Sequence, residues 1–106
     1  MLLDQSILAL ADPTRRELIR RLACEPLRAS DLAQGFPISR PAICKHTRLL
    51  ARAGLIRAKK SGRERVYELA PKGGRLMKEM IGELEEMSRL WDVALEAFKD
   101  YAEARK

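Results

Sequence analysis

The sequence predicts a mainly α-helical domain with one small β-hairpin. Apolar residues recur at spacings of three and four along most of the chain, which is typical of amphipathic helices. Two short segments, at about 55–60 and 64–69, flank a turn that contains Gly62, and this pattern predicts two antiparallel strands. The length of 106 residues suits one domain and is too short for two. We therefore expect residues 1–106 to form a single domain.

The first two helices are predicted from periodicity and from a cap between them. Residues 2–11 carry apolar side chains at helical spacing. Asp12 then precedes Pro13, which is the order of an N-cap followed by proline in the first turn. The second helix is expected to run to about Cys24, and we expect the Cys24 thiol to be a small core group.

Two further helices come before the hairpin. Ser30 is the expected N-cap of a short third helix, which Gly35 ends. Ser39 is the expected N-cap of a fourth helix that tolerates Pro41 in its first turn and ends at Gly54.

A long helix opening at Pro71 is expected to reach about residue 103. The resulting order is four helices, a hairpin and a last helix, which is the order of a winged helix-turn-helix with an additional helix at each end. The expected parts are the helix-turn-helix at 30–53, the wing at 55–69, and dimerisation helices at 1–11 and 71–106.

Charge and composition favour an anionic partner. The formal charge is +6 with a pI near 9.7, and the positive charge is uneven along the chain. Residues 1–75 hold 16 basic and 7 acidic side chains, whereas residues 76–106 hold 5 and 8. A positive field of this kind attracts nucleic acid, and the acidic last helix must serve another purpose.

The sequence gives little support to other classes of protein. No apolar run is long enough to span a bilayer, so we expect no membrane partner. The two cysteines give no disulfide framework, which favours a cytoplasmic protein. One histidine, with no Gly-rich phosphate loop and no cluster of acids or nucleophiles, leaves little chemistry for an enzyme.

The fourth helix is predicted to separate a core face from a cationic face. At about 100° per residue, Ile43, His46, Thr47 and Leu50 share one arc, and the basic residues fall on another. Arg40 is the expected base reader because base contacts come mainly from the start of a recognition helix. Pro41 and Cys44 are expected to make apolar contacts there. With the phosphate-binding residues of the helix and the hairpin, the expected DNA-binding set is Ser39, Arg40, Pro41, Cys44, Lys45, Arg48, Arg52, Lys59, Lys60, Arg63 and Arg65.

The blander alternatives for these charges are a solvated helix face and an edge hairpin that charge protects from aggregation. The density of charge favours DNA. Residues 39–67 carry nine Lys or Arg against one acid, Glu64, whereas a surface selected only for solubility mixes the two signs.

The last helix carries an apolar stripe that is longer than a small domain needs for its own core. Part of this stripe is expected to pack against a second copy of the chain. Intrachain packing is the alternative, and Trp91 and Phe98 could also line a pocket for an organic effector. The expected dimer interface contains Leu3, Ile7, Leu10, Met80, Leu84, Met87, Trp91, Leu95 and Phe98.

Four motifs together are similar to a known family. They are Ala9 to Arg16 (ALADPTRR), Ser39 to His46 (SRPAICKH), Ala53 to Ile56 (AGLI) and Gly62-Arg63. The chain resembles the ArsR/SmtB family of bacterial transcriptional repressors. The resemblance implies a homodimer that binds a palindromic double-stranded DNA operator and that dimerises through its first and last helices. Cys44 stands where the family often has Ser, and Thr47 stands where it usually has Leu.

The ligand positions of the family's metal sensors are not filled by ligating residues. Arg28-Ala29-Ser30 occupies the place of a Cys-x-Cys pair. A second type of metal site in the family uses histidines of the last helix, and this chain has none there. A third type pairs one thiol of the second helix, here Cys24, with a cysteine of the last helix, which is also absent from this sequence. Cys44 and His46 point about 200° apart on a helix and cannot share an ion. We therefore expect no metal, no cofactor and no intramolecular dithiol sensor, and the residues identify no effector.

Two alternatives stay open beside a metal-free repressor. Winged helices also serve as protein-interaction modules, in which case the basic face would meet an acidic protein. The second alternative is a thiol-redox-responsive repressor, because Cys44 is expected on the face of the fourth helix that meets the DNA groove. His46 is expected to be a packed and hydrogen-bonded residue of the helix.

Overall fold

The computed structural model describes the backbone of residues 2–105 and the side chains of residues 4–105. It confirms the predicted order of four helices, a hairpin and a long last helix. The elements are α1 (Leu2–Leu10), α2 (Pro13–Cys24), β1 (Leu27–Arg28), α3 (Ala29–Ala33), α4 (Arg40–Arg52), β2 (Ile56–Ser61), β3 (Glu64–Leu69) and α5 (Gly73–Ala104).

The sheet has one more strand than the sequence predicts. The short strand β1 pairs antiparallel with β3, with Leu27 opposite Tyr67, and gives the strand order β1-β3-β2. Two residues are too few for an alternating pattern to be visible in the sequence. Because β1 leads directly into α3, this pairing fixes the start of the helix-turn-helix against the wing.

Two predicted caps are confirmed and one is wrong. The Asp12 carboxylate accepts the amide hydrogen of Arg15 at 3.0 Å, and the Ser39 hydroxyl accepts that of Ala42 at 3.3 Å. Ser30 does not cap α3. It lies inside that helix, which follows Arg28, and its hydroxyl donates to Glu64 Oε1 at 2.8 Å.

The core lies where α2, α3 and α4 meet the sheet, and Leu18, Leu32 and Leu50 are fully buried there. Thr47 is also buried, and its hydroxyl donates to the Cys44 carbonyl at 3.0 Å, so the polar group is satisfied inside the core. The expectation for Cys24 is wrong, because its thiol is exposed at the end of α2.

Three arginines of α2 bind carbonyl groups at the ends of neighbouring helices. Arg15 and Arg16 donate to carbonyls at the end of α1. Arg21 donates to the carbonyls of Leu32 and Gln34 at 3.0 and 2.6 Å, at the end of α3. The last carbonyls of a helix lack partners within it. These charges therefore serve the fold, and they are not part of the DNA-binding set.

We expect Gly54→Ala to lower the free energy of unfolding by about 1–2 kcal/mol. Gly54 has φ +81°, and an added Cβ would lie 3.1 Å from Leu76 Cδ1. Gly74→Ala is the matched control, since a Cβ there meets no atom within 4 Å, and we expect it to be neutral or slightly stabilising. Urea unfolding of both variants measures the difference, and equal effects would contradict the assigned strain.

The last helix extends far beyond the core. Its 32 residues correspond to about 48 Å at 1.5 Å per residue, and the longest dimension of the molecule is 65 Å. The buried residues of α5 are Gly73, Leu76 and Met80, all in its first quarter. We call residues 81–104 of α5 the arm.

Within residues 2–105, none of the helices is long and apolar enough to cross a bilayer.

Candidate nucleic-acid interface

Helix α4 divides into two faces as the sequence predicts. Ile43, Thr47 and Leu50 are buried, and they anchor the helix on the core. Arg40 and Cys44 lie on the outer face and are exposed. The whole predicted set on this helix is exposed, namely Ser39, Arg40, Pro41, Cys44, Lys45, Arg48 and Arg52.

The strand register decides which hairpin residues face α4. Lys60 pairs with Arg65, and Ala58 pairs with Tyr67. Alternate residues of a strand share a face, so Lys60 and Arg65 lie on the same side of the hairpin as Ala58 and the buried Tyr67. This side packs against α4.

Basic residues from α4 and the hairpin meet around two depressions. One, of about 160 Å³, is lined by Cys44, Arg48 and Arg65. The other, of about 370 Å³, is lined by Arg40, Cys44, Arg63 and Arg65. The two segments therefore converge on one cationic surface. Five exposed residues of the predicted set border these depressions, and we call them the basic groove. They are Arg40, Cys44, Arg48, Arg63 and Arg65.

Lys59 is separated from the groove. It lies on the opposite face of the hairpin from Lys60, and its ammonium is 3.1 Å from Glu68 Oε1. The same carboxylate accepts a hydrogen bond from Arg57 Nε at 2.7 Å. The hydrogen bonds from Lys59 and Arg57 hold the pKa of Glu68 below its usual value. Lys59 is thus less available to a phosphate than Lys60.

The single acid of the segment, Glu64, is also engaged. It accepts the Ser30 hydroxyl and lies 3.7 Å from Arg28 Nη1. The other basic residues of the predicted set keep their charge uncompensated. In the part of the chain that the structure describes, no ion pair forms to Arg40, Lys45, Arg48, Arg52, Lys60, Arg63 or Arg65.

Tyr67 lies beneath the basic groove, although the sequence does not lead us to expect it there. Its side chain lines both depressions although it is largely buried. The signal was available, because Tyr67 is two residues after Arg65 and so shares its face of the strand.

The residues predicted for the dimer interface lie along one surface that extends from α1 to the arm. Ile7 and Leu10 are half-buried, whereas Met80 is buried within the protomer. Together with Leu84 they line a cavity of about 490 Å³ between α1, α2 and α5. Leu3 lies outside the residues whose side chains are described. The remaining predicted residues are exposed along the arm; they are Leu84, Met87, Trp91, Leu95 and Phe98.

Comparison with known proteins agrees with this architecture. Residues 10–58 match the family model described as a helix-turn-helix domain. The HTH-type transcriptional regulator Rv2034 of Mycobacterium tuberculosis is 37% identical over 95 residues, which are 90% of this chain and 83% of that protein. The arsenical resistance operon repressor of Staphylococcus xylosus is 35% identical over 60 residues, which cover 57% of this chain and 58% of that protein.

The solved structures point the same way. The crystal structure of the ArsR family transcriptional regulator RHA00566 superimposes with a TM-score of 0.73 at 34% identity, and the match covers 87% of this chain and 98% of that one. With its winged helix-turn-helix and basic groove, this chain belongs to the ArsR family of DNA-binding transcriptional regulators.

Proposed function

We propose that the protein is a homodimeric repressor that binds a palindromic operator through the basic groove and releases it without a metal signal. The observation that carries the proposal is the convergence of Arg40 and Arg48 of α4 with Arg63 and Arg65 of the hairpin. Lys and Arg without carboxylate partners can neutralise phosphates and release their counterions. We assign base reading to Arg40, because it is the first residue of α4 and a guanidinium fork can make two hydrogen bonds to guanine.

The arm supports the homodimer. Trp91 and Phe98 are 63% and 69% exposed, and they belong to a stripe of large apolar side chains on one side of the arm. Contiguous apolar surface of this kind usually marks a protein interface. Residues 81–104 carry seven acidic and two basic side chains, so the arm is not suited to DNA.

The apolar cavity at the root of the arm extends the same surface. Its lining from α1 includes Ile7 and Leu10, and its lining from α5 includes Leu84, where the exposed stripe begins. A second copy that covers the stripe would also close this cavity. Two copies related by a two-fold axis would present their α4 helices to successive major grooves, about 34 Å apart.

The family's metal sites do not fit these residues. Arg28 and Ser30 stand at one ligand pair, and both contact Glu64. His46 lies on α4, not on the last helix where the family's histidine ligands lie, and it hydrogen-bonds to Arg15. Among the described residues, no three His, Cys, Asp or Glu side chains are grouped so as to hold a metal ion.

Selection of bound duplexes from a random pool tests the proposal. We expect an enriched sequence with two inverted half-sites, bound by two copies of the chain, and an affinity that zinc, cadmium or arsenite does not change. A protein that retains no duplex at low salt would contradict DNA binding and favour the protein-interaction module. Enrichment of a single half-site by one copy would contradict the dimer.

We expect Lys60→Ala to weaken binding to all duplexes alike. Lys60 is exposed on the α4 side of the hairpin, where its ammonium can reach a phosphate. Loss of one phosphate contact in each protomer should flatten the slope of log K against log salt by about 2, since each contact contributes about 0.9.

Lys59→Ala is the matched control. Lys59 lies on the far face and is bonded to Glu68, so its removal should change the slope much less. Binding isotherms at several salt concentrations measure both slopes. Equal slopes for the two variants would contradict the assigned orientation of the wing.

A further inference from the structure

The only histidine of the chain lies between two groups of opposite charge. His46 is half-buried on α4. Its Nδ1 is 3.1 Å from Nη1 of Arg15 and 3.9 Å from Oδ2 of Asp12. Both partners belong to the start of α2, 31 or more residues earlier in the chain. The imidazole therefore connects the recognition helix to α2 through a side chain that can titrate.

Arg15 extends this connection to α1. Its Nε donates to the Ala9 carbonyl at 2.5 Å, and its Nη2 donates to the Leu8 carbonyl at 3.0 Å. One guanidinium thus holds the last turn of α1 and the imidazole of α4 at the same time. Since α1 packs on α5 and lines the cavity at the root of the arm, the guanidinium joins the proposed dimer elements to the DNA-binding helix.

The hydrogen bond between Arg15 and His46 requires a neutral imidazole. Arginine can only donate, so Nδ1 must accept, and the ring proton must be on Nε2. A protonated imidazole carries hydrogen on both nitrogens and has no acceptor. Its positive charge would also lie against that of the guanidinium. Protonation therefore removes this hydrogen bond and replaces it with repulsion.

Asp12 offers the protonated ring a partner. Desolvation raises the pKa of Asp12, but the hydrogen bond from the Arg15 amide and the charges of His46 and Arg15 outweigh it, so the pKa lies below its usual value. The carboxylate consequently stays ionised over the range of about pH 5–8 in which histidines change charge. From 3.9 Å, a small movement of the ring would complete an ion pair.

We propose that Asp12, Arg15 and His46 form a proton-operated joint between α1 and the recognition helix. Neutral His46 accepts from Arg15 and fixes α4 against the end of α1. Protonated His46 leaves Arg15 and pairs with Asp12, and α4 loses its fixed position relative to α1. The consequence for operator binding rests on the proposed function, whereas the structural change does not depend on DNA.

No other described side chain competes for the imidazole. Among residues 4–105, the charged groups within hydrogen-bonding or ion-pair distance of His46 are those of Arg15 and Asp12. The end of α1 contributes backbone carbonyls, which Arg15 already binds. On α4 itself, Lys45 and Arg48 are exposed on the other arc.

The direction in which DNA affinity changes with pH distinguishes this joint from the effect of an added charge alone. An added positive charge alone would tighten binding to a polyanion as the pH falls. The joint predicts the reverse, because an unfixed α4 binds less well. We expect operator affinity to fall about tenfold between pH 8 and pH 5.5, as the loss of one charge-assisted hydrogen bond implies.

Nitrogen NMR of the full chain without DNA tests the joint directly, because its one histidine gives unambiguous imidazole signals. At pH 8 we expect the ring proton on Nε2. On titration to pH 5.5, the amide signals of residues 8–11 should move with the midpoint of His46. A proton on Nδ1 at pH 8, or α1 signals that ignore this midpoint, would overturn the proposal.

His46→Asn supplies the matched control, since its amide oxygen can accept from Arg15 and does not titrate. Between pH 8 and pH 5.5, we expect this variant to show neither the shift of the amide signals of residues 8–11 nor the loss of operator affinity. An unchanged pH dependence would overturn the joint. Failure of the wild type to bind any duplex at pH 8 would contradict the proposed function instead, and the NMR titration of the wild type would still decide the joint.

Discussion

Trp91→Glu is expected to separate the homodimer and to abolish stable operator binding. Trp91 is largely exposed on the apolar stripe of the arm, and in a two-fold interface the substitution is present twice. A buried aromatic anchor contributes about 2–4 kcal/mol, so the dimer dissociation constant should rise by at least about 10³-fold. Sedimentation equilibrium measures the association, and a gel shift on the selected operator measures the loss of binding.

Val93→Glu is the matched control for that experiment. Val93 is also an exposed apolar residue of the arm, but it lies about 180° from Leu84 around the helix, on the side away from the stripe. The same acidic side chain there should leave both dimerisation and operator affinity close to those of the wild type. A dimer that survives Trp91→Glu, or that Val93→Glu disrupts equally, would contradict the assigned interface.

Arg40→Ala is expected to relax base preference at one position of each half-site. Arg40 is the first residue of α4 and has no ion pair among the described residues. A bidentate contact from arginine to guanine discriminates by about 1–3 kcal/mol. We therefore expect the preferred operator to lose about 10- to 100-fold in affinity per half-site, while duplexes changed at that position lose little.

Arg48→Ala provides the comparison for base reading. Arg48 lies two turns further along α4, beside Arg65, where a phosphate contact is expected. Its loss should weaken all operator variants by the same factor, because phosphate contacts position the protein without reading sequence. Identical profiles for Arg40→Ala and Arg48→Ala over a set of single-base variants would contradict this division.

Local signals in the sequence predicted much of the fold. Ser39 and Pro41 marked the start of α4, and the alternation of apolar and basic residues marked both of its faces. The hairpin followed from two short segments around Gly62, which has a positive φ of 63°. Each of these features depends on residues within one or two turns of each other, and such patterns are visible in a single chain.

The features that were missed depend mostly on distant contacts. The sequence predicts Ser30 as a cap, but its hydroxyl donates to Glu64, 34 residues later. Arg15 binds His46, 31 residues later in the chain. No local pattern distinguishes an arginine that holds a neighbouring helix from one that is solvated.

Cys24 is a different kind of error. It follows Leu22 by two residues, which corresponds to about 200° around a helix, so it could not share the buried side of α2. The helical wheel already contained this information. The orientation of the wing was likewise recoverable, because the alternation of Lys59 and Lys60 places them on opposite faces once the strand is accepted.

Methylation protection of guanine N7 on the selected operator tests base reading by α4, because that atom faces the major groove. We expect two protected sites about 10 base pairs apart. Arg40→Ala should remove both of them, whereas Lys60→Ala should leave them in place at saturating protein. Bound DNA without protected guanines, or protection that survives Arg40→Ala, would contradict base reading by α4.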